Sequence, residues 1–124
     1  MSPLTITTRL VATGPVLEII GALEYETAPE LRKAVDGLTF AGGQWLVLDL
    51  AGLDFCDSSG ISALISARSL AIEQGGGIAL AAVPARIART LGIIGLDQVF
   101  TIFPDVATAT DRDLMTGRVP APHW

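Results

Sequence analysis

Gln44-Trp45-Leu46-Val47-Leu48-Asp49-Leu50 is apolar on both of its faces. A strand with one face in water alternates apolar and polar residues, whereas one covered on both sides reads as a continuous apolar run. This segment is therefore expected to be a central strand of a parallel sheet, with Trp45 as a core residue at its head. A loop, Ala51 to Asp57, comes next, then a helix from Ser58 to about Gln74 stopped by Gly75-Gly76-Gly77. On that helix Ser62, Ser66, Ser69 and Glu73 fall on one narrow arc. The rest of it is apolar apart from Arg68, whose charged end should reach out past the sheet edge.

Downstream, Ile78 to Val83 reads as another apolar strand. Pro84 opens a helix to about Leu91, on which Arg86 and Arg89 lie one turn apart, reading as a solvated face or as a pair for an acidic partner surface. Val99 to Phe103 is a last strand, and Pro104-Asp105-Val106 opens a final helix to about Leu114. Upstream, Leu4, Ile6, Thr8 and Leu10 alternate with Thr5, Thr7 and Arg9, the pattern of a half-buried strand. Thr13-Gly14-Pro15 is turn chemistry, and Val16 to Ile20 resumes as the second strand of a hairpin that Gly21 ends. Ala22 to Glu26 reads as a short loop. Thr27 as N-cap, Pro29 in the first turn and Glu30 at the third helical position read as a capping box, with the helix running to about Asp36 before Gly37. The order ββαβαβαβα predicts a single α/β domain over residues 1–114. Its sheet should be mixed and mostly parallel, with an N-terminal antiparallel hairpin and about four helices. Met115 to Trp124, rich in Gly, Pro and polar residues, reads as a loose tail.

Composition narrows the chemistry. The chain has 124 residues, one domain's worth, and half of them are apolar, which excludes disorder as the main state. Eight Lys+Arg against 13 Asp+Glu leave a net charge of −5, which argues against nucleic-acid and anionic-membrane partners. Mean hydropathy is high, at +0.53. Yet the longest charge-free stretches, Gly37 to Leu48 and Gln74 to Ala85, are 12 residues each, against the roughly 20 that a spanning helix needs. Met1-Ser2-Pro3-Leu4-Thr5 has no basic n-region, which speaks against a secretory leader. The single His, His123, lies in the expected tail and the single Cys is Cys56. Nucleophile–imidazole catalysis and His/Cys metal sites therefore have no residues to build on. A cytoplasmic binding protein without cofactor, metal or catalytic residues is the expectation.

Ligands and partners of open α/β sheets meet the loops after the strand ends. The central strand delivers Ala51-Gly52-Leu53-Asp54-Phe55-Cys56-Asp57-Ser58-Ser59-Gly60. Asp57 and Ser58 can cap the helix, two hydroxyls stand side by side, Gly60 keeps the first turn bare, and Phe55 is an apolar anchor. A phosphate on Ser58 would be tolerated by its own helix N-terminus. It would also place about −2 charge beside Asp54 and Asp57, with no Lys or Arg in the loop, and so should alter docking more than folding. Asp, Ser and Gly before an apolar helix are also ordinary capping residues.

Asp54-Phe55-Cys56-Asp57-Ser58-Ser59-Gly60-Ile61, after a strand ending in Asp49-Leu50, resembles the signature of STAS domains, the bacterial anti-sigma factor antagonists in particular. Gly21-Ala22-Leu23-Glu24 with Thr27-Ala28, and the Leu91 to Phe100 segment with its Gly95-Leu96-Asp97, resemble two further landmarks of that family. The resemblance runs from about Leu4 to Asp113. It implies a protein that binds an anti-sigma factor that is also a serine kinase, and so releases a sigma factor. The kinase would phosphorylate Ser58 and end the interaction, and a phosphatase would reset it. The partner-binding residues so implied are Glu24, Tyr25, Thr27, Asp57, Ser59, Gly60 and Ser62.

Glu24 departs from the family's usual Asp, which bears on partner choice. Tyr25 reads as an interface anchor or as packing on the sheet end. Cys56 sits where the family is commonly apolar and reads as a small hydrophobe, with a redox switch as the other reading. The resemblance also admits a STAS adaptor that binds without switching, in a signalling assembly or a lipid transporter. A phospho-aspartate receiver built on Asp49, Asp54 and Asp57 would need an acidic pair after the first strand, where Ala12-Thr13-Gly14 stands.

Overall fold

A computed structural model of the chain describes residues 3–39 and 41–111. Strands β1 (Thr5–Val11) and β2 (Gly14–Leu23) form the expected antiparallel hairpin, with Thr5 opposite Ile20 and Val11 opposite Gly14. Helix α1 (Ala28–Asp36), strand β3 (Trp45–Asp49), a short strand β4 (Leu53–Cys56), helix α2 (Ser58–Glu73), strand β5 (Gly77–Ala81) and helix α3 (Ala85–Ile93) follow. A single 3-10 turn, Leu96–Gln98, leads into strand β6 (Thr101–Phe103) and helix α4 (Val106–Ala109). The sheet order is β1-β2-β3-β5-β6, with every pair after the hairpin parallel.

β3 is central, as its two-sided apolar pattern requires. Leu46 and Leu48 enter a core shared with α1, α2 and α3, while Val47 enters a smaller one with Val16, Ala79, Ala81 and Ala109 under α4. Trp45 is half-buried at the head of β3, and its indole lies over Gly77. The serine arc of α2 faces outward, and its inner face, with Ile61, Ala63, Leu64, Ala67 and Ala71, is buried. Arg68 is half-buried. Arg86 and Arg89 are exposed.

Several boundaries differ from the sequence expectation. β2 does not stop at Gly21. A register shift between Gly21 and Ala22 re-aims the strand, and its end pairs with β4, which lies inside the segment expected to be a loop. Gly21 sits at φ +111°, and a Cβ there would run into the Pro3 carbonyl, so glycine kinks this strand instead of ending it. The hairpin turn falls at Ala12-Thr13, with Gly14 and Pro15 already paired in β2. Leu10, on the expected inner face of β1, is 75% exposed. α4 closes at Ala109, its carbonyls taken up by Thr110. The tail expected from Met115 onward lies outside the described residues, and so does His123.

Candidate functional site

The shift at Gly21 brings two connections together. It carries Leu23 alongside Cys56, so that the β2–α1 connection lies against the start of α2. Asp57 ties the two. Its Oδ1 accepts from the Gly60 amide at 2.9 Å, which caps α2, and its Oδ2 accepts from the Tyr25 amide at 3.3 Å. Its own amide donates to the Leu23 carbonyl at 3.2 Å. One carboxylate therefore fixes the helix start and a loop that is distant in sequence.

Ser58 is exposed at the first helical position. Among the described residues its hydroxyl has no hydrogen-bond partner, because Asp57 alone supplies the cap. The expectation that Ser58 shares the capping is thus corrected. Ser59 is half-buried, Ser62 is exposed and Tyr25 is 79% exposed, so Tyr25 does not pack on the sheet end. Phe55 is 50% exposed and does not anchor the loop in the core.

Thr27 and Gly60 are buried beneath this surface. Both set its shape from below. Thr27 makes no side-chain cap for α1, contrary to the capping box expected with Glu30. Its hydroxyl donates to the Ala22 carbonyl at 2.6 Å and accepts from the Glu24 amide at 2.9 Å, holding the loop closed. Thr27→Val should therefore cost about 2 kcal/mol by leaving two backbone groups unpaired, while Thr27→Ser should keep most of that stability. Urea denaturation of the two variants checks this, and equal midpoints would refute it. Gly60 is required by packing. A Cβ there would meet the Leu23 carbonyl oxygen and, at 2.7 Å, the Cys56 sulfur.

Burial first, and then the Asp57 charge, push the Cys56 thiol up to about 11. The folded chain thus holds this proton through pH 9, near the ordinary value of 9.0 at which an unfolded chain releases it. Stability is expected to fall as pH rises from about 9 towards 11. Iodoacetamide should label Cys56 slowly at pH 8, with a rate rising roughly tenfold per pH unit up to pH 10. A plateau before pH 9 would show an activated thiol and restore the redox reading.

Two clefts flank Ser58. One, of about 510 Å³, lies on the α1 side and is lined by Tyr25, Glu26, Pro29, Arg32, Ser59 and Ser62. The other, of about 410 Å³, lies towards α3 and is lined by Asp57, Ser58, Ile61, Ser62, Thr90 and Ile94, with Cys56. Ser62 lines both and forms the ridge between them. Arg32, Thr90 and Ile94 were not singled out from the sequence. Helical spacing from Pro29 could have found Arg32, but nothing local places α3 beside Ser58. Glu24, Glu26, Asp54 and Asp57 make the surface acidic, and Arg32 is the one cation lining either cleft among the described residues. Among those residues no three His, Cys, Asp or Glu side chains converge on a metal position. No described helix is long and apolar enough to cross a membrane.

The sequence model of the STAS domain matches residues 5–109. The chain belongs to the STAS family. It is 29% identical over 102 residues to the anti-sigma-F factor antagonist RsfB of Mycobacterium tuberculosis, covering 82% of this chain and 79% of that protein. To the anti-sigma F factor antagonist of Paenibacillus polymyxa it is 26% identical over 95 residues, covering 76% and 81%. The crystal structure of an anti-sigma factor antagonist from Mycobacterium paratuberculosis has the same fold, with a TM-score of 0.69 at 23% identity over 96% of each chain. This STAS chain thus carries the family's mixed sheet, and its Asp57-Ser58-Ser59-Gly60 stands at a helix start with Ser58 exposed beside the Tyr25 loop.

Proposed function

We propose that this STAS chain is an anti-sigma factor antagonist controlled at Ser58. It binds an anti-sigma factor that is also a serine kinase, in the cytoplasm, and frees the sigma factor that kinase holds. The kinase transfers the γ-phosphoryl group of ATP to the Ser58 oxygen. The bond between the γ-phosphorus and the β–γ bridging oxygen breaks as the Ser58 oxygen forms a P–O ester, ADP leaves, and the serine proton passes to a base of the kinase or to water. A phosphatase hydrolyses the ester and restores binding. This chain supplies the acceptor and the docking surface, and ATP belongs to its partner.

The observation that carries this reading is the division of labour between neighbours. Asp57 holds the helix and the Tyr25 loop, which leaves the Ser58 hydroxyl exposed, and without a partner among the described residues, at a helix N-terminus. A phosphate there adds charge without removing any bond the fold uses, and the positive end of the helix tolerates it. The names of the relatives from M. tuberculosis and P. polymyxa support the antagonist role.

The test is to purify the kinase-type anti-sigma factors of the source organism and titrate each with this chain, with and without ATP. Binding by one of them, followed by phosphate at Ser58 and dissociation only when ATP is present, establishes the switch. Binding that ATP leaves unchanged, with Ser58 unmodified, would replace it with a non-switching STAS adaptor. No binding at all would refute the antagonist role.

A further inference from the structure

We propose that the cleft between the start of α2 and the end of α3 receives an aliphatic side chain carried on a basic segment of the anti-sigma factor. This rests on the antagonist role proposed above and names the chemistry of its docking.

The cleft is apolar inside. Ile61 is buried, Cys56 is half-buried and its thiol stays protonated, and Ile94 rises from α3 beside them. The Thr90 hydroxyl, also on the wall, donates back to the Arg86 carbonyl of its own helix at 3.2 Å, so it offers no free donor to an occupant. A polar side chain entering here would find partners only in Asp57 and the Ser58 and Ser62 hydroxyls, whereas an aliphatic one meets Ile61, Ile94 and the protonated Cys56 and loses nothing. Ile94 is 52% exposed and the adjacent Ile93 78% exposed, an aliphatic pair left in water at the end of one helix. They adjoin the Ser58 surface directly, since Ser58 and Ile94 line the same cleft.

The rim sets the charge of the occupant. Asp57 lies on it, Asp54 is exposed on the same connection, and Glu24 and Glu26 stand on the loop that Asp57 holds. No Lys or Arg lines this cleft among the described residues. A segment that brings an aliphatic side chain here is matched by flanking Arg or Lys and repelled if it is acidic.

The experiment measures the affinity of the purified anti-sigma factor kinases of the source organism for the wild type, Ile94→Ala, Ile94→Asp and a control, Ile72→Asp. Ile72 is 49% exposed on α2, at the end away from Ser58, so its exposure matches that of Ile94 without lining the cleft. Ile94→Ala should weaken binding roughly tenfold and Ile94→Asp considerably more, with Ile72→Asp within about twofold of wild type. Raising NaCl from about 0.05 to 0.5 M should weaken the wild type several-fold and Asp54→Asn less. Ile94 is half-exposed, so both variants should fold, and their melting curves check this. A partner that binds wild type and Ile94→Asp equally would overturn the cleft while leaving the antagonist role standing. Equal salt sensitivity of wild type and Asp54→Asn would overturn the basic segment. If no kinase binds the wild type, the antagonist role fails and the cleft with it.

Discussion

Ser58→Asp is expected to weaken binding to the kinase-type anti-sigma factor by roughly 30-fold or more, while Ser58→Ala stays within about threefold of wild type. To receive a phosphoryl group, Ser58 must meet the γ-phosphate of the bound nucleotide. Any charge at this position therefore faces a polyphosphate, and a like-charge contact that has lost its water costs about 2 kcal/mol or more. Stability should move the other way. The hydroxyl makes no hydrogen bond among the described residues, so Ser58→Ala removes nothing from the fold. A carboxylate at the first helical position gains about 0.3–1 kcal/mol from the helix dipole. Loss of affinity without loss of melting temperature is the signature of a switch. A lowered melting temperature for Ser58→Ala would show a cap, and equal affinity of the two variants would remove Ser58 from control.

Where the chain's local pattern was decisive, the fold could be read from it. The two-sided apolar run at Trp45–Asp49 places β3 centrally because only a covered strand can bury both faces, and Leu46, Val47 and Leu48 do so. The hairpin and α2 were legible for the same reason, as was the Asp57-Ser58 start of α2. Strand β4 was not. It has four residues, two of them exposed, and exists because Gly21 bends β2 towards it, a pairing between segments some 30 residues apart. The capping box at Thr27 failed through competition. The residue types fit the motif, but the hydroxyl finds nearer partners in Ala22 and Glu24, the usual alternative open to Ser and Thr beside a turn.

The site was half legible. Ser58, Asp57 and Tyr25 came from one short motif and one neighbouring loop. The bond from the Tyr25 amide to Asp57, which makes them a single surface, depends on the register of β2 and β4. The α3 wall of the second cleft is a matter of helix packing, and no pattern within Ala85–Ile93 announces it. Thr27 and Gly60, by contrast, are buried, and their contacts within the chain shape the loop and the helix start.

Gly60→Ala is expected to lower stability by about 3 kcal/mol and the melting temperature by roughly 10 °C. The added methyl meets the Leu23 carbonyl and the Cys56 sulfur at once. One of these is backbone and cannot rotate away. Leu23 also accepts from the Asp57 amide, so displacing it pulls apart the strand end and the helix cap that together hold the Tyr25 loop. Affinity for the anti-sigma factor should fall in the fraction that still folds. The double variant Gly60→Ala/Cys56→Ala separates the two contacts, because Cys56→Ala removes the sulfur and leaves the carbonyl. Partial recovery of stability, with binding still lost, is the expected result. Complete recovery of both would show that only the sulfur stood in the way, and that the approach of α2 to the end of β2 does not set the docking surface. Glycine at this position would then answer to the Cys56 side chain alone.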